Sequence, residues 1–569
     1  MTAFDEARLR SSLHDYFGFP QFRPLQQEIV QTVLEGKDCL AILPTGGGKS
    51  LCFQLPGLLF PGTTLVISPL ISLMTDQVAH LRHKQIPAVA LTSALSPQEM
   101  SVAMQQLKSG KIKFIYVSPE KLHSTSLLEV VRELRISLVV VDEAHCISEW
   151  GHQFRPEYCQ IHQFLEKLPT RPGVAAFTAS ATPKTVQDIV LQLRLCQPKL
   201  FRQSVLRQNL SLQVLPCPTQ TIQHLVLFRL LKQYGGKSVI IYCATRQQTE
   251  DTASQLTALG FLACAYHGGL ESDERQQIQQ QFLKSGYRII CATTAFGMGV
   301  DKPDIRCVIH LNQPASIEGY YQEVGRAGRD GLPSECYLLA LPGDARLHLQ
   351  IIDRSYPPAK ESKVLISYLL SKKVTSGQGV TLRQLTHLFM EQKLSARLRT
   401  TLSRGEEHGW WSVDRAQKTL FIHTQPNVLR QQLQQLTQQH LFQLYKLKQM
   451  KQFTETSSCR MRQLLLYFEP IEERVKLAKF RCHQCDVCQG VAVGEPSKEE
   501  LIYFRRLHRR LSPLKKQKGF PILMGLCAQL LAVHQPASTE NVAQLNIFGR
   551  GWRKRWGFIV NMTDTAAHR

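Results

Sequence analysis

Short, mainly apolar runs recur through the first 345 residues, and they constrain the fold more than any other feature of the chain. They lack the alternation of apolar and polar residues that marks a sheet with one face in water. Helical patterns separate them, which is typical of parallel sheets covered on both faces. The predicted strands cover residues 38–42, 64–68, 113–117, 137–141 and 174–178, and then 238–242, 288–292, 306–310 and 336–340. Two such α/β units predict two nucleotide-binding-type domains in succession.

A glycine-rich segment, Pro44-Thr45-Gly46-Gly47-Gly48-Lys49-Ser50, follows the first predicted strand and precedes a helical pattern. Its glycines let backbone N–H groups approach phosphates without a Cβ clash. Lys49 is expected to reach the β- and γ-phosphates, and the Ser50 hydroxyl to bind Mg²⁺. The strict pattern has glycine at position 43, where this chain has Leu43. The segment therefore predicts a site for a nucleotide, with ATP and Mg²⁺ as its ligands.

Two adjacent carboxylates, Asp142 and Glu143, follow the apolar run at residues 138–141. A magnesium-dependent nucleotide hydrolase needs such a pair at the end of a buried strand. We expect Asp142 to hold Mg²⁺ through water, and Glu143 to orient and deprotonate the attacking water.

The chain of 569 residues carries a net charge of +23, with a sequence pI of about 9.5. A soluble domain usually needs a net charge of only about 2–8, so the excess favours a polyanionic partner, nucleic acid above all. No apolar run reaches the roughly 18 residues of a membrane span, and the first residues do not resemble a signal peptide. We therefore expect a cytoplasmic protein with no membrane partner, nucleoid-associated if bacterial.

The stretch from Asp142 to Tyr158, which reads DEAHCISEWGHQFRPEY, is similar to RecQ-family DNA helicases of superfamily two. The resemblance covers residues 10–345 and extends to the cysteines near the C-terminus. In that family the second half of the stretch is an aromatic-rich loop that couples DNA binding to ATP hydrolysis. Aromatic rings in such a loop can stack on bases, and an arginine can pair with phosphate. The resemblance implies DNA contacts by four residues, which are Trp150, His152, Phe154 and Arg155.

Further motifs of the family follow from the same resemblance. Phe19, Arg23 and Gln26 resemble its adenine-recognition motif, in which the glutamine amide reads the base edge. Residues 322–331 resemble its arginine motif, and Arg326 and Arg329 are expected on one helical face. The resemblance implies that Arg329 is the arginine finger with Arg326 as its neighbour, and that Gln322 belongs to the nucleotide site. Three more segments resemble family motifs. Residues 68–77 resemble a motif that contacts the DNA strand, and residues 178–182 resemble one that couples hydrolysis to unwinding. Residues 295–302 resemble the motif that senses both ATP and DNA.

Four cysteines near the C-terminus have the spacing of a metal site: Cys459, Cys482, Cys485 and Cys488. Four thiolates suit tetrahedral zinc, and an iron–sulfur cluster fits this spacing almost as well. The RecQ resemblance favours structural Zn²⁺. The 22 residues between the first two cysteines form a longer interval than the family leads us to expect.

Three short helices are predicted at residues 361–370, 381–389 and 396–408, and a hairpin is predicted at residues 410–422. Together these elements match a winged-helix module. A longer helix is predicted at 431–452, and a basic helical segment at 501–560 resembles an HRDC domain. In the family the winged helix usually follows the zinc module, whereas here it precedes it. The usual strand-separating hairpin cannot be carried over, so our hypothesis is that residues 410–422 serve instead.

The predicted fold class is α/β, with two RecA-like parallel-sheet domains followed by three smaller modules. The predicted boundaries are 1–205 and 206–350 for the RecA-like domains, 351–428 for the winged-helix-like module, 429–492 for the helical zinc-binding module, and 493–569 for the HRDC-like domain and tail. The expected function is an ATP-dependent 3′-to-5′ DNA helicase that unwinds duplex or branched DNA in recombination and repair. An RNA helicase, a non-unwinding DNA translocase and a non-catalytic nucleic-acid-binding protein are the alternatives. Expected partners are single-stranded and branched DNA, with single-strand-binding or recombination proteins as candidates, and a monomer is expected.

Overall fold

The computed structural model describes residues 6–92, 95–148, 155–258, 260–297, 302–394 and 397–490. The chain divides into two compact units. The first contains Met1–Pro342 and Phe453–Arg569, and the second contains Gly343–Gln452. No helix in the described part of the chain is long and apolar enough to cross a membrane.

The first unit opens with a seven-stranded parallel sheet in the order β3-β4-β2-β5-β6-β1-β7. Its strands are β1 Cys39–Ile42, β2 Thr63–Ile67, β3 Ala88–Leu91, β4 Phe114–Val117, β5 Ile136–Val141, β6 Gly173–Thr178 and β7 Lys199–Arg202. Its helices are α1 Glu6–Phe17, α2 Gln26–Leu34, α3 Lys49–Leu59, α4 Ile71–His83, α5 Pro97–Lys108, α6 Thr125–Glu133, α7 Ile161–Glu166 and α8 Pro183–Gln192, with 3₁₀ turns at Pro119–His123, Ala144–Ile147 and Pro156–Gln160. Apolar residues from both faces of the sheet form two buried clusters, as expected for unalternating strands.

Strand register brings the predicted motifs of this sheet to one edge. Ile42 pairs with Thr178 at the ends of β1 and β6, and Ile67 pairs with Val141 at the ends of β2 and β5. Because all four strands are parallel, the segments that follow them emerge on the same side. The glycine-rich segment at residues 44–50, which we call the phosphate loop, and the carboxylate pair therefore become neighbours, although about a hundred residues separate them in the chain.

A second parallel sheet, of six strands in the order β10-β11-β9-β12-β13-β8, follows in the same unit. Its strands are β8 Leu210–Pro216, β9 Ser238–Tyr242, β10 Ala263–Tyr266, β11 Ile289–Ala292, β12 Ile305–His310 and β13 Ser334–Ala340. Its helices are α9 Gln220–Gln233, α10 Arg246–Ala258, α11 Ser272–Leu283 and α12 Ile317–Val324. Three later helices complete the described part of this unit: α18 Arg460–Phe468, α19 Ile471–Arg474 and α20 Asp486–Gln489.

The second unit has its own core and a small antiparallel sheet in the order β14-β16-β15. Its elements are α13 Asp344–Ser355, α14 Ala359–Ser371, β14 Gly379–Thr381, α15 Leu382–Glu391, α16 Leu398–Glu407, β15 Trp411–Asp414, β16 Thr419–Ile422 and most of α17 Pro426–Glu455. At Gly405 in α16 a Cβ atom would lie 1.9 Å from the buried Trp411 ring, so glycine is what allows this helix to pack on the hairpin. The three predicted short helices and the hairpin are present, and their assignment as a winged-helix-like module stays a prediction.

The predicted strands all exist, within one or two residues at their ends. Four strands were missed, β3, β7, β8 and β10, and the third strand of the small sheet, β14, was missed as well. The predicted boundaries after residues 350 and 428 fall inside α13 and α17, and the module boundaries stay predictions. The HRDC-like segment at 493–569 lies outside the described residues.

Candidate functional site

A cleft of about 440 Å³ lies where the two parallel-sheet domains meet. Its lining combines residues from the first domain, including the phosphate loop and both carboxylates, with the arginine motif of the second. The predicted site residues that line it are Phe19, Arg23, Gln26, Thr45, Gly46, Gly48, Lys49, Ser50, Asp142, Glu143, Gln322, Arg326 and Arg329. The structure therefore gathers in one place residues spread over more than 300 positions of the sequence.

The phosphate loop turns sharply between β1 and α3. Gly46 and Gly48 adopt left-handed φ angles of 81° and 77°, which favour glycine. A Cβ at Gly47 would lie 2.9 Å from the Pro44 carbonyl oxygen, so this position also requires a bare backbone. Lys49 opens α3, and its Nζ lies 3.4 Å from the Leu43 carbonyl oxygen. The loop thus brings backbone free of Cβ atoms and the Lys49 side chain to the same cleft, which suits a polyphosphate.

The carboxylate pair stands at the end of β5. The Asp142 Oδ1 accepts a hydrogen bond from the Glu143 backbone N–H at 3.0 Å, and the Ser68 hydroxyl lies 3.5 Å from its Oδ2. Glu143 has a left-handed φ of 47°, an unusual conformation for a residue with a side chain. Burial and the neighbouring Glu143 carboxylate raise the pKa of Asp142 to about 7, although Lys49 lowers it. Two adjacent carboxylates that line the same cleft as Lys49 and Ser50 fit a divalent cation.

His145 ties the carboxylate pair to the neighbouring strand β6. Its Nδ1 lies 2.9 Å from the Thr178 hydroxyl and 3.3 Å from Glu143 Oε2. The Tyr158 hydroxyl donates to the Asp142 carbonyl oxygen at 3.0 Å. No role was predicted for Tyr158, although it is the last residue of the stretch that resembles RecQ helicases.

The residues predicted to recognise adenine reach the phosphate loop from one side. The Gln26 Nε2 lies 3.3 Å and 3.2 Å from the carbonyl oxygens of Gly47 and Gly48, and its Oε1 accepts from the Arg23 backbone N–H at 2.8 Å. Arg23 donates from its guanidinium to the Gly46 carbonyl oxygen. Phe19 is half exposed, at 50%, and lines the same cleft. These side chains leave a rim on which a flat base can lie.

The two arginines of the second domain are not on a helix, which corrects the prediction. α12 ends at Val324, and both arginines lie in the turn at residues 325–333, which we call the arginine turn. Gly328 has a left-handed φ of 56°, so the backbone changes direction between the two arginines. Arg326 is buried and donates to the Gly297 carbonyl oxygen, whereas Arg329 lies with its Cγ 3.5 Å from where a Cβ on Gly46 would stand. Arg329 is therefore the arginine next to the phosphate loop.

Of the four predicted DNA contacts, the structure describes Arg155 alone. Its Nη1 lies 3.6 Å from Glu120 Oε1, and both side chains are at least one-third exposed. An exposed pair of this kind holds its partners weakly, so Arg155 remains accessible to a phosphate. Trp150, His152 and Phe154 lie outside the described residues, as does part of the 295–302 motif.

The four cysteines converge into one cluster, with all their Sγ atoms within 4.8 Å of one another. In a zinc tetrathiolate with bonds near 2.3 Å the sulfurs are about 3.8 Å apart. Cys482 and Cys488 come to 4.0 Å, and backbone N–H groups of Cys482 and Arg460 donate to the Cys459 and Cys485 sulfurs at 3.3 and 3.4 Å. A multi-iron cluster, whose cysteines bind separate iron atoms, needs wider spacing. The residues present fit a single Zn²⁺ ion.

A buried ion pair holds the cysteine cluster together. Arg460 follows Cys459, and Asp486 follows Cys485. The guanidinium donates to both carboxylate oxygens, from Nε at 3.0 Å and from Nη2 at 2.8 Å, and both side chains are under 10% exposed. Such a pair does not bind the metal itself but fixes the positions of the neighbouring residues that do.

Family models match three parts of the chain. They are the DEAD/DEAH box helicase model at residues 23–189, the helicase conserved C-terminal domain at 220–331, and the RecQ zinc-binding model at 416–489. The first two coincide with the parallel-sheet domains, and the third includes the cysteine cluster.

Curated relatives agree with these models. The probable ATP-dependent DNA helicase RecS of Bacillus subtilis (strain 168) is 43% identical over 405 residues, which is 69% of this chain and 81% of RecS. The ATP-dependent DNA helicase RecQ of Pasteurella multocida (strain Pm70) is 44% identical over 354 residues, 62% of this chain and 55% of that protein.

Solved structures share the fold at low identity. Helicase Lhr of Mycobacterium smegmatis, bound to single-stranded DNA and AMP-PNP, gives a TM-score of 0.50 at 18% identity, over 93% of this chain and 74% of that one. Mss116p, bound to single-stranded RNA and AMP-PNP, gives 0.52 at 17%, over 78% and 89%. These likenesses concern the fold alone.

Proposed function

This chain belongs to the RecQ family of superfamily-two DNA helicases, and from that premise we propose that it uses ATP hydrolysis to separate DNA strands. One observation carries the proposal. The cleft between its parallel-sheet domains holds Lys49, Asp142 and Glu143 on one side and Arg326 and Arg329 on the other. A site shared in this way makes hydrolysis depend on how the domains meet, which is what a motor requires.

The phosphate end of the cleft supports the following roles. Lys49 neutralises the β- and γ-phosphates, and Ser50 and Asp142 hold Mg²⁺, which offsets negative charge on the phosphates when bound. Glu143 orients the attacking water and takes its proton. Arg329, with Arg326 behind it, stabilises the charge that develops on the transferred phosphoryl group. The backbone that surrounds the phosphates comes from Thr45, Gly46, Gly47 and Gly48. Gln322 also lines the cleft.

Base selection and DNA contact complete the proposed site. Gln26 reads the adenine edge, while Phe19 and Arg23 cover the ring. We propose that Arg155, together with Trp150, His152 and Phe154, contacts single-stranded DNA a few residues from the carboxylate pair. DNA binding there acts on Glu143 through the short intervening segment. Hydrolysis then reopens the cleft, and alternating grip moves the motor along one strand.

The direct test is DNA-stimulated ATP hydrolysis and strand separation by the full chain, at stated salt. We expect hydrolysis to rise with single-stranded DNA and not with RNA, and duplexes with a 3′ single-stranded tail to be unwound. Stimulation by RNA alone would favour the RNA-helicase alternative, and hydrolysis without unwinding the translocase. Forked and junction substrates extend the test to branched DNA. Four expectations stay predictions: a role in recombination and repair, a cytoplasmic location, a monomeric state, and single-strand-binding or recombination proteins as partners.

The winged-helix hairpin is the proposed strand-separating element. β15 and β16 pair in antiparallel register from Trp411 with Ile422 to Asp414 with Thr419, and the turn between them carries Arg415 and Lys418. Deleting residues 415–418 is expected to abolish unwinding while DNA-stimulated hydrolysis continues. A variant of unchanged length, Arg415→Ala with Lys418→Ala, separates the loss of charge from the loss of the turn. Unchanged unwinding by the deletion would reject this role.

A further inference from the structure

The segment that joins the two parallel-sheet domains passes over the contact between the phosphate loop and the arginine turn. β7 ends at Arg202 and β8 begins at Leu210, so residues 203–209 form this linker. No sequence motif predicted a role for it. In the middle of the linker, the half-buried Arg207 extends its guanidinium toward both loops.

Arg207 donates hydrogen bonds on two sides. Its Nη2 donates to the carbonyl oxygens of Ala327 at 3.1 Å and Gly328 at 2.8 Å, both between the two site arginines. Its Nη1 donates to the Thr45 carbonyl oxygen at 3.4 Å, next to Gly46 of the phosphate loop. The guanidinium carries its donors on separate nitrogens of one rigid plane, so it can span acceptors on both loops. The side chain therefore sets the separation of the two loops.

Asn209 braces the same turn. Its Nδ2 donates to the carbonyl oxygens of Gly328 at 2.8 Å and Leu332 at 2.9 Å, and its Oδ1 accepts from Arg207 Nε at 3.3 Å. A Cβ at Gly328 would lie 2.5 Å from that Nδ2, so glycine and asparagine fit each other closely. The linker thus fixes the left-handed turn that precedes Arg329.

The cysteine cluster is hydrogen-bonded to the linker and to the start of β8 through Gln484. Gln484 lies between two of the zinc ligands, Cys482 and Cys485. Its Nε2 donates to the Gln208 carbonyl oxygen at 2.9 Å, and its own carbonyl oxygen accepts from the Ser211 hydroxyl at 2.7 Å. The zinc-ligand loop is therefore hydrogen-bonded directly to Gln208, the residue next to Arg207.

We propose that Arg207 is a positioning residue for hydrolysis: it holds the arginine turn against the phosphate loop, and Gln484 of the zinc-ligand loop holds Arg207 in place. This inference rests on the proposed function, because it concerns the geometry of the same cleft. Arg329 must meet developing charge on the phosphoryl group, and a misplacement of about 1 Å in such a site can cost on the order of 100-fold in rate. Arg207 is not among the residues that line the cleft, so its loss lowers kcat and leaves nucleotide binding intact.

The experiment compares Arg207→Ala and Arg207→Lys with Arg194→Ala, which removes an exposed arginine paired with Glu166. We expect kcat for DNA-stimulated hydrolysis to fall by about 10- to 100-fold in Arg207→Ala, with ADP affinity, zinc content and thermal unfolding unchanged. Arg207→Lys recovers part of the rate, because one ammonium reaches one loop but not both. Arg194→Ala behaves as the unmodified protein. A kcat for Arg207→Ala within about twofold of that protein overturns the proposal.

Two further outcomes keep the proposal falsifiable. In Gln484→Ala we expect zinc content to be retained, amide hydrogen exchange in residues 204–211 to speed up, and kcat to fall in the same direction as in Arg207→Ala. Unchanged exchange and unchanged kcat reject the part played by the zinc-ligand loop. Absence of hydrolysis in the unmodified protein rejects the proposed function itself, whereas an active protein with an equally active Arg207→Ala rejects this inference alone.

Discussion

The nucleotide cleft and the cysteine cluster are both signalled by short motifs, yet their surroundings differ in kind. In the cleft, functional groups stand at strand ends and in turns, and several point into open volume. In the cluster, the Cys459 and Cys485 sulfurs accept backbone hydrogen bonds, and a buried ion pair closes the site. Groups in a site for turnover must be able to exchange their partners for substrate, whereas the ligands of a structural metal site keep theirs permanently. Changes in the cleft should therefore alter rates, and changes in the cluster should alter stability.

The largest expected effect comes from Lys49→Ala. Removing the cation that faces the β- and γ-phosphates should lower ATP hydrolysis by more than about 10³-fold. Binding to single-stranded DNA should persist and weaken with salt, because it rests on other cations. Hydrolysis assays and DNA titrations at several salt concentrations check this. Retained hydrolysis would refute the assignment of the phosphate loop, and a collapse in thermal stability would break the contrast with the cluster.

Glu143→Gln should lower kcat by about 10²- to 10⁴-fold, because the amide keeps the shape of the side chain but cannot accept the proton from water. ATP should still bind, since Lys49 and the glycine cradle are untouched. Single-turnover hydrolysis measured beside nucleotide affinity separates these effects. An equal loss of affinity and rate would mean that Glu143 serves binding rather than proton transfer.

Arg460→Met should act on stability instead of rate. It leaves Asp486 buried without its partner, which typically costs about 3–5 kcal/mol. Zinc should also dissociate more readily. The matched control is Lys476→Met, which removes an exposed lysine paired with Glu473 and should cost less than about 1 kcal/mol. Denaturant unfolding and zinc release measure both, and equal stabilities of the two variants would contradict the role of the buried pair.

The smallest expected effect separates backbone strain from side-chain crowding in the phosphate loop. Gly48 and Gly36 have similar φ angles, 77° and 74°, so alanine at either should cost about 1–2 kcal/mol. A Cβ at Gly48 would also lie 2.3 Å from Gln26 Nε2, whereas nothing lies within 4 Å at Gly36. Only Gly48→Ala should therefore raise the KM for ATP. Equal KM values in steady-state assays would show that Gln26 yields without consequence.

Features marked by a local sequence pattern were predicted, whereas contacts between residues far apart in the chain were not. Unalternating apolar runs located nine strands, but β3, β7, β8 and β10 were missed, and β7 is exposed at two of its four residues. Strand-end motifs located the phosphate loop and the carboxylates, because parallel register carries such segments to one edge. The arginines were predicted on a helix, since their three-residue spacing suits one, but α12 already ends at Val324. Arg207 had no local signal, because its acceptors are backbone carbonyls 162 and 121 residues away.

The central claim is that two domains share one hydrolytic site, with the first binding the nucleotide and the second completing the chemistry. Measuring ATP affinity and single-turnover hydrolysis on the same DNA-saturated sample of Arg329→Ala tests it most directly. We predict nearly unchanged affinity and a rate lower by about 10³-fold or more, because the arginine acts on charge that develops only during reaction. A rate equal to that of the unmodified protein, or a loss explained wholly by weaker ATP binding, would contradict the account.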